Sequence, residues 1–317
     1  MIIAKTPLRI SLFGGSTDYE SFYKEHGSFL IGTTIDKYSY LSMRFRPKIL
    51  SKETLVVYSK MDYVKEFDSI QNPLIRETLK YGDVKDFVEL FSFADIPSRT
   101  GLGGSSSYCV GLLYLINQLY GRPIDKKKLV YDAIKVEREI LKEAGGIQDS
   151  IWPAYGGLNS IEIHSTGDFS VKPLPITEDF KQELEDSMVL IYTNEQRSQE
   201  EIAKSHNHKD KMQILSLARE AYDRFVEEDI EGIGNLLYET WRQKKDLSPL
   251  ISTPKVDHTV KTVMDNGAYG AKLLGSGGCG FVLAICTPHT KAKLLEVFGD
   301  DVLPFKFEST GVSRIHS

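Results

Sequence analysis

The chain opens on an alternating run. Leu8, Ile10 and Leu12 alternate with Arg9, Ser11 and Phe13, and the run ends at Gly14-Gly15-Ser16. A period of two with a glycine stop predicts a β-strand feeding a turn. Residues 30–45 are rich in β-branched and aromatic side chains and predict one or two further strands. Val56–Tyr58 is a shorter candidate, Ile70–Tyr81 reads as a helix, and Val88–Ala94 as a strand closed by Ile96-Pro97-Ser98. From Ser105 the period lengthens: Leu112, Leu115, Ile116 and Leu119 recur at helical spacing until Gly121-Arg122-Pro123. Lys127–Ala144 predicts a second helix, ended by Gly145-Gly146, and Tyr155-Gly156-Gly157 leads into a strand at Leu158–Ile163.

Residues 166–179 concentrate prolines and turn formers. A domain boundary there would divide the chain into 1–175 and 176–317. Beyond it, Ser187–Thr193 predicts a strand and Gln199–Asp246 a mostly helical tract with a charged face. Pro254–Asn266 predicts a helix with Gly267 as its C-cap. Lys272–Leu274 and Phe281–Cys286 flank a second glycine loop. Helices and strands mix without strict βαβ order, which predicts an α+β architecture over a doubly wound parallel sheet.

Composition narrows the function classes. The 317 residues are 41% hydrophobic and 26% charged, with a net charge of −5. That balance argues against nucleic acid or an anionic membrane as partner. A polyanionic ligand must then be held by a local positive site. No run approaches 18 apolar residues, and MIIAKTPLRI lacks an apolar leader, so the expectation is a cytoplasmic protein with no membrane span. Three widely spaced cysteines, Cys109, Cys279 and Cys286, fit neither a disulfide framework nor a four-cysteine zinc site.

Four segments carry chemistry. Arg99-Thr100-Gly101-Leu102-Gly103-Gly104-Ser105-Ser106-Ser107 lies between a strand and a helix. Glycines let backbone N–H groups approach a phosphate, and a helix N-terminus adds a positive dipole end; a capped tight turn is the alternative. Gly-Lys occurs nowhere, so this is no Walker loop, and the protein-kinase set is absent. Gly275-Ser276-Gly277-Gly278-Cys279-Gly280 fits the dinucleotide spacing G-x-G-x-x-G. It precedes a strand rather than a helix, so a hairpin loop backing a phosphate pocket is favoured over a nicotinamide site, with a purely structural hairpin as the alternative. Pro7–Tyr19 delivers Arg9 and then presents Gly15, Thr17 and Asp18, the last a good acceptor for sugar hydroxyls. Gly145–Ser150 brings Asp149, with Glu137 and Glu139 upstream. A phosphotransferase needs one carboxylate for the acceptor hydroxyl and another for Mg²⁺. Among 44 acidic residues, a solvated side chain is the plain alternative for each.

These segments in this order resemble the GHMP kinases, the superfamily of galactokinase, homoserine kinase, mevalonate kinase and phosphomevalonate kinase. Residues 101–107 resemble its phosphate loop G-L-G-S-S-x-x. Lys272–Gly280 resembles K-L-L-G-x-G-G-G-G, and Pro7–Tyr19 resembles P-x-R-x-x-x-x-G-x-x-T-D-Y. The resemblance implies a two-domain fold with the active site between the domains. It implies ATP held by Gly101, Leu102, Gly103, Gly104, Ser105 and Ser106, with Gly275, Gly277 and Gly278 closing the site. Ser105 and Glu137 would hold Mg²⁺, and Asp149 would act as base beside Arg9. Gly15, Thr17 and Asp18 would meet the sugar. Two departures stand out: Gly104 replaces the usual first serine, and Cys279 a usual glycine.

Ile35-Asp36-Lys37-Tyr38, Gln148-Asp149 and Trp241 with Lys244-Lys245 narrow the resemblance to the D-glycero-D-manno-heptose 7-phosphate kinases, which phosphorylate an anomeric hydroxyl. The implied partner is a small sugar phosphate, and a homodimer is compatible with the sequence. Arg197, Lys37, Arg76 and Lys244 are the candidate cations for its phosphate. A kinase for an unphosphorylated sugar, of fucose or galactose type, and an inactive sugar or nucleotide sensor are the alternatives. His206 and His208 suggest a solvated helix face more than a metal site.

Overall fold

The alternating run forms β1 (Ile2–Phe13), and the β-branched run after it is one continuous strand, β2 (Ser28–Phe45). The link between them carries α1 (Glu20–His26). The structure is a computed structural model that describes residues 1–49, 52–98, 100–194 and 211–315. Arg99, Arg197, His206, His208 and the start of the 199–246 tract lie outside the described residues.

After β2 come β3 (Thr54–Val57), β4 (Met61–Val64), α2 (Pro73–Tyr81) and β5 (Val88–Ala94). Then follow α3 (Gly104–Leu119), α4 (Lys126–Ile134), α5 (Gln148–Tyr155), β6 (Asn159–Ile163) and β7 (Phe169–Pro173). The second half supplies α6 (Glu178–Ser187), β8 (Met188–Tyr192), α7 (Lys211–Val226), α8 (Ile230–Asp246) and α9 (Pro254–Asp265). It ends with β9 (Gly270–Leu273), β10 (Phe281–Ile285), α10 (Pro288–Phe298), β11 (Val302–Leu303), β12 (Phe307–Glu308) and β13 (Ser313–Arg314).

Among the described residues there are two sheets. The larger has nine strands, ordered β13-β1-β2-β5-β3-β4, with β6 and β12 on β2 and β7 on β6. The smaller has the order β11-β8-β10-β9. Pairing is antiparallel in both, except that β3 runs parallel to β5. This is an α+β fold, as the lack of βαβ order predicts. Residues 307–314 return to the larger sheet, although the rest of the second half builds the smaller one. No helix among the described residues is long and apolar enough to cross a membrane.

Local chemistry explains the helix starts. Asn72 caps α2 by accepting from the N–H groups of Leu74 and Ile75, with Pro73 in the first turn. Thr253 caps α9 in the same way, ahead of Pro254. α3 is apolar on nearly every side and, Tyr108 apart, buried from Ser106 to Ile116, as expected of an internal helix. It packs on β1 and β2 beneath α2, α4 and α5. One apolar core fills that layer, and another joins Leu8, Ile10, Leu12 and Phe13 of β1 to Leu190, Phe225, Leu237 and Phe281 of the second half. The end of β1 is therefore held from both sides, which fixes the residues it carries.

The helix predicted over 127–144 is not uniform. After α4 the chain forms a π-helical stretch, Lys135–Ile140. On it the neighbours Val136 and Glu137 are both fully buried.

Candidate active site

The first glycine loop docks on β1. The Arg9 N–H donates to the Leu102 carbonyl at 3.0 Å. The Arg9 guanidinium donates to the Gly101 carbonyl at 2.5 Å, and to Asp149 Oδ1 through Nε at 2.9 Å and Nη2 at 2.8 Å. Arg9 is buried, whereas the Asp149 side chain is 27% exposed, so the carboxylate opens on the cleft. Asp149 sits in the first turn of α5, whose positive dipole end favours its charge. At Gly103, φ is 74° and a Cβ would lie 3.0 Å from Arg9 Cγ, so the loop needs glycine there.

The two glycine loops touch. A Cβ on Gly275 would lie 2.5 Å from Gly101 Cα, and one on Gly101 would lie 2.7 Å from the Leu274 carbonyl. Residues 275–280 join β9 to β10 as an antiparallel hairpin, which excludes the helix that a dinucleotide fingerprint must open. Between the loops lies a cleft of 570 Å³. Gly15, Asp18, Gly101, Gly103, Gly104, Ser105, Ser106, Glu137, Asp149 and Gly275 all line it.

Other predicted residues do not reach the cleft wall. Thr17 is fully buried, its hydroxyl bonded to the Gly14 carbonyl at 2.7 Å and to Ser28 Oγ at 2.5 Å. It holds the turn from beneath. The Leu102 side chain packs in the core. Gly277 and Gly278 lie against Ile251, and the Gly278 N–H donates to its carbonyl at 2.8 Å. Of the candidate cations, Lys37 pairs with Asp36 at 3.0 Å and Arg76 with Glu77 at 2.9 Å, both off the cleft; Lys244 lines it.

The carboxylate at residue 137 has a specific setting. Ser106 Oγ lies 2.8 and 2.9 Å from its two oxygens, and Ser150 Oγ lies 3.1 Å from Oε2. Ser106, rather than Ser105, is therefore the hydroxyl beside Glu137; Ser105 is exposed at the cleft. Burial pushes the Glu137 carboxyl up to about 7, with the Arg138 charge acting the other way. No salt bridge reaches Glu137 among the described residues, so its buried charge lacks a bonded cation. A hard oxygen donor with hydroxyl neighbours fits Mg²⁺, which is held by one or two carboxylates plus phosphate oxygens. No cluster of three His, Cys, Asp or Glu side chains forms among the described residues, and such an ion needs none.

At the far end, Asp18 ties two loops together. Its carboxylate accepts from the N–H of Ser16 and of Gln148, each at 3.1 Å. Burial, then the Asp149 charge, raises its pKa. A Cβ on Gly146 would lie 1.7 Å from Asp18 Oδ2, and one on Gly145 would lie 2.9 Å from Arg138 Nη2. The glycine pair is needed for these side chains to fit.

The second half contributes two buried lysines. Lys272 Nζ donates to the Ser11 carbonyl at 3.2 Å and the Leu12 carbonyl at 2.6 Å, and Lys244 Nζ donates to the Gly275 carbonyl. Burial, then the Arg9 charge, lowers Lys244 to about 8. Burial, then Lys244 and Arg9, holds Lys272 well below its ordinary value. Lys272 escaped the functional reading of the sequence. Its signal was a lone charged residue in an otherwise apolar strand, Ala271-Lys272-Leu273.

Sequence and fold comparisons identify the family. The profile described as GHMP kinases N terminal domain matches residues 69–157, and that described as GHMP kinases C terminal matches residues 219–299. The chain belongs to the GHMP kinases. It is 29% identical to D-glycero-alpha-D-manno-heptose 7-phosphate kinase of Campylobacter jejuni, over 98% of each chain. It is 27% identical to a galactokinase of Pyrococcus furiosus, over 95% of this chain and 92% of that one. The crystal structure of a D-glycero-D-manno-heptose 1-phosphate kinase from Bacteroides thetaiotaomicron superimposes with a TM-score of 0.82 at 22% identity, covering 100% of both chains. The protein is a sugar kinase, a phosphotransferase with an alcohol acceptor and ATP as donor.

Proposed function

We propose that the enzyme transfers the γ-phosphoryl group of ATP to the anomeric hydroxyl of D-glycero-D-manno-heptose 7-phosphate, giving the 1,7-bisphosphate. The observation that carries the reaction is the Arg9–Asp149 pair, set between two glycine loops and opening on one cleft. The end-to-end similarity to the Campylobacter enzyme supports the acceptor.

In this reading Asp149 accepts the proton of the anomeric hydroxyl while its oxygen attacks the γ-phosphorus and the bond to ADP breaks. Arg9 holds Asp149 in place through two hydrogen bonds, and its charge stabilises the negative charge that develops. Gly101, Gly103 and Gly104 offer their backbone to the phosphates at the start of α3. Glu137, with Ser106 or Ser105, would hold Mg²⁺, which supplies charge neutralisation on the β- and γ-phosphates. Asp18 and Gly15 border the sugar. In-line positioning and electrostatics carry most of the rate.

The similarity to the Pyrococcus galactokinase favours a second reading, an unphosphorylated sugar as acceptor. Turnover of Mg-ATP with heptose 7-phosphate, heptose, galactose and fucose separates the two. A preference for heptose 7-phosphate is expected. Faster turnover of galactose or fucose would select the second reading, and nucleotide binding without ADP release from any sugar would indicate a sensor.

A further inference from the structure

The cleft contains buried polar atoms that the phosphotransfer reading leaves idle. Ser11 Oγ and Ser276 Oγ both line the cleft, are buried, and have no hydrogen-bond partner. Each lies beside a lysine anchor. Lys272 donates to the carbonyl of Ser11 itself, and Lys244 to the carbonyl of Gly275, the residue before Ser276. Two lysines thus anchor on the backbone beside a serine, one joining β9 to β1 and one joining α8 to the second glycine loop, and the charge of Lys244 acts on Lys272. Lys244 and Lys272 are both at least nine-tenths buried, as is Ser11.

This is an unusual set to bury. A buried hydroxyl without a partner costs about 1–3 kcal/mol. Like charges brought together in a buried site oppose each other, and here Lys244, Lys272 and Arg9 do so, with Asp149 and Asp18 as the carboxylates acting on Lys244. One group relieves both penalties: a tetrahedral dianion, whose three oxygens accept from ammonium and hydroxyl donors together. The net charge of −5 means that attraction for such an anion must come from this local cluster.

We propose that Lys244, Lys272, Ser11 and Ser276 form the receptor for the phosphate that the acceptor sugar already carries. The site selects sugar phosphates over free sugars, and this rests on the phosphorylated acceptor proposed above. A phosphate monoester could also arrive as the γ-group of ATP, which has the same chemistry, so the test separates the two sources.

The experiment is steady-state kinetics of the full-length chain with heptose 7-phosphate and unphosphorylated heptose, each at varied ATP. The variants are Lys244→Met and the double change Ser11→Ala with Ser276→Ala. Neither hydroxyl has a protein partner, so the double variant should melt no lower than the wild type, and a rise is expected from removing the buried polar groups. Lys244→Met should lower kcat/KM for the 7-phosphate about 10²-fold, the weight of a charged hydrogen bond, and the double variant about tenfold. Activity on unphosphorylated heptose should fall far less, so that discrimination between the acceptors collapses, with KM for ATP moving less than about threefold. A rise in KM for ATP with discrimination intact would give the site to the γ-phosphate and overturn the proposal. Variants that discriminate like wild type would overturn the receptor alone. A wild-type enzyme that prefers the unphosphorylated sugar would overturn the acceptor reading as well.

Discussion

The two walls of the cleft solve different problems. The wall built from α3, the π-helical stretch, α5 and the turn after β1 gathers Glu137, Asp149 and Asp18, acidic groups held by hydroxyls, backbone N–H groups and Arg9. The wall built from β9, α8 and the second glycine loop gathers Lys244 and Lys272, held by carbonyls. A wall rich in carboxylates suits a cation and a proton to be removed. A wall of ammonium groups suits phosphate. Arg9 faces both, bonded to Asp149 and acting on each lysine. In the reading proposed above, one wall does the chemistry and the other chooses the acceptor, and substitutions on the two should therefore fail in different ways.

The largest effect belongs to the acidic wall. Asp149→Asn should fold normally and lose about 10²–10⁴ in kcat, the usual range for general-base catalysis. Near wild-type turnover would remove Asp149 from the chemistry. Ser106→Ala, beside Glu137, should raise the Mg²⁺ concentration for half-maximal rate about tenfold, by loss of a charge-assisted hydrogen bond. Ser105→Ala is the control; a larger effect there would reverse the assignment of the two hydroxyls.

The basic wall should show its character in pH. Lys244 titrates at about 8 in the folded chain, lowered by burial and then by Arg9, with Lys272, Asp149 and Asp18 also facing it. Above that pH the free enzyme loses the proton that a phosphate requires. KM for the sugar phosphate should then rise toward tenfold per pH unit, and Lys244→Met should flatten the profile. Stability should move the opposite way. The folded-state pKa lies below the ordinary 10.5, so the burial penalty is complete below pH 8 and fades as pH approaches 10.5. The smallest effect is expected at Gly104→Ser, which restores the family's usual residue. A Cβ there meets nothing within 4 Å, so stability should change by less than about 0.5 kcal/mol.

Much of this was legible in the sequence, and what escaped has physical causes. The alternation at Leu8–Leu12 located β1, and the change of period at Ser105 located α3. The resemblance to the GHMP kinases, rather than spacing alone, points to Arg9, Glu137 and Asp149. Thr17 was misplaced toward the sugar because a turn can present a side chain to either side, and here Ser28 takes the hydroxyl. That Ser106 rather than Ser105 bonds Glu137 depends on how α3 packs against the π-helical stretch, which no periodicity shows. Of the basic wall, Lys244 is among the cations the sequence offers, whereas Lys272 is not, because only the folded chain brings β9 to Ser11.

The central claim is phosphoryl transfer to the anomeric oxygen of a sugar that already carries a phosphate. Phosphorus NMR of a reaction containing enzyme, Mg-ATP and heptose 7-phosphate tests it most directly. The account predicts ADP in equal amount to a new phosphate resonance coupled to the anomeric proton, beside the retained 7-phosphate signal. A new phosphate on any other carbon, or ADP formation only with unphosphorylated sugars, would contradict it.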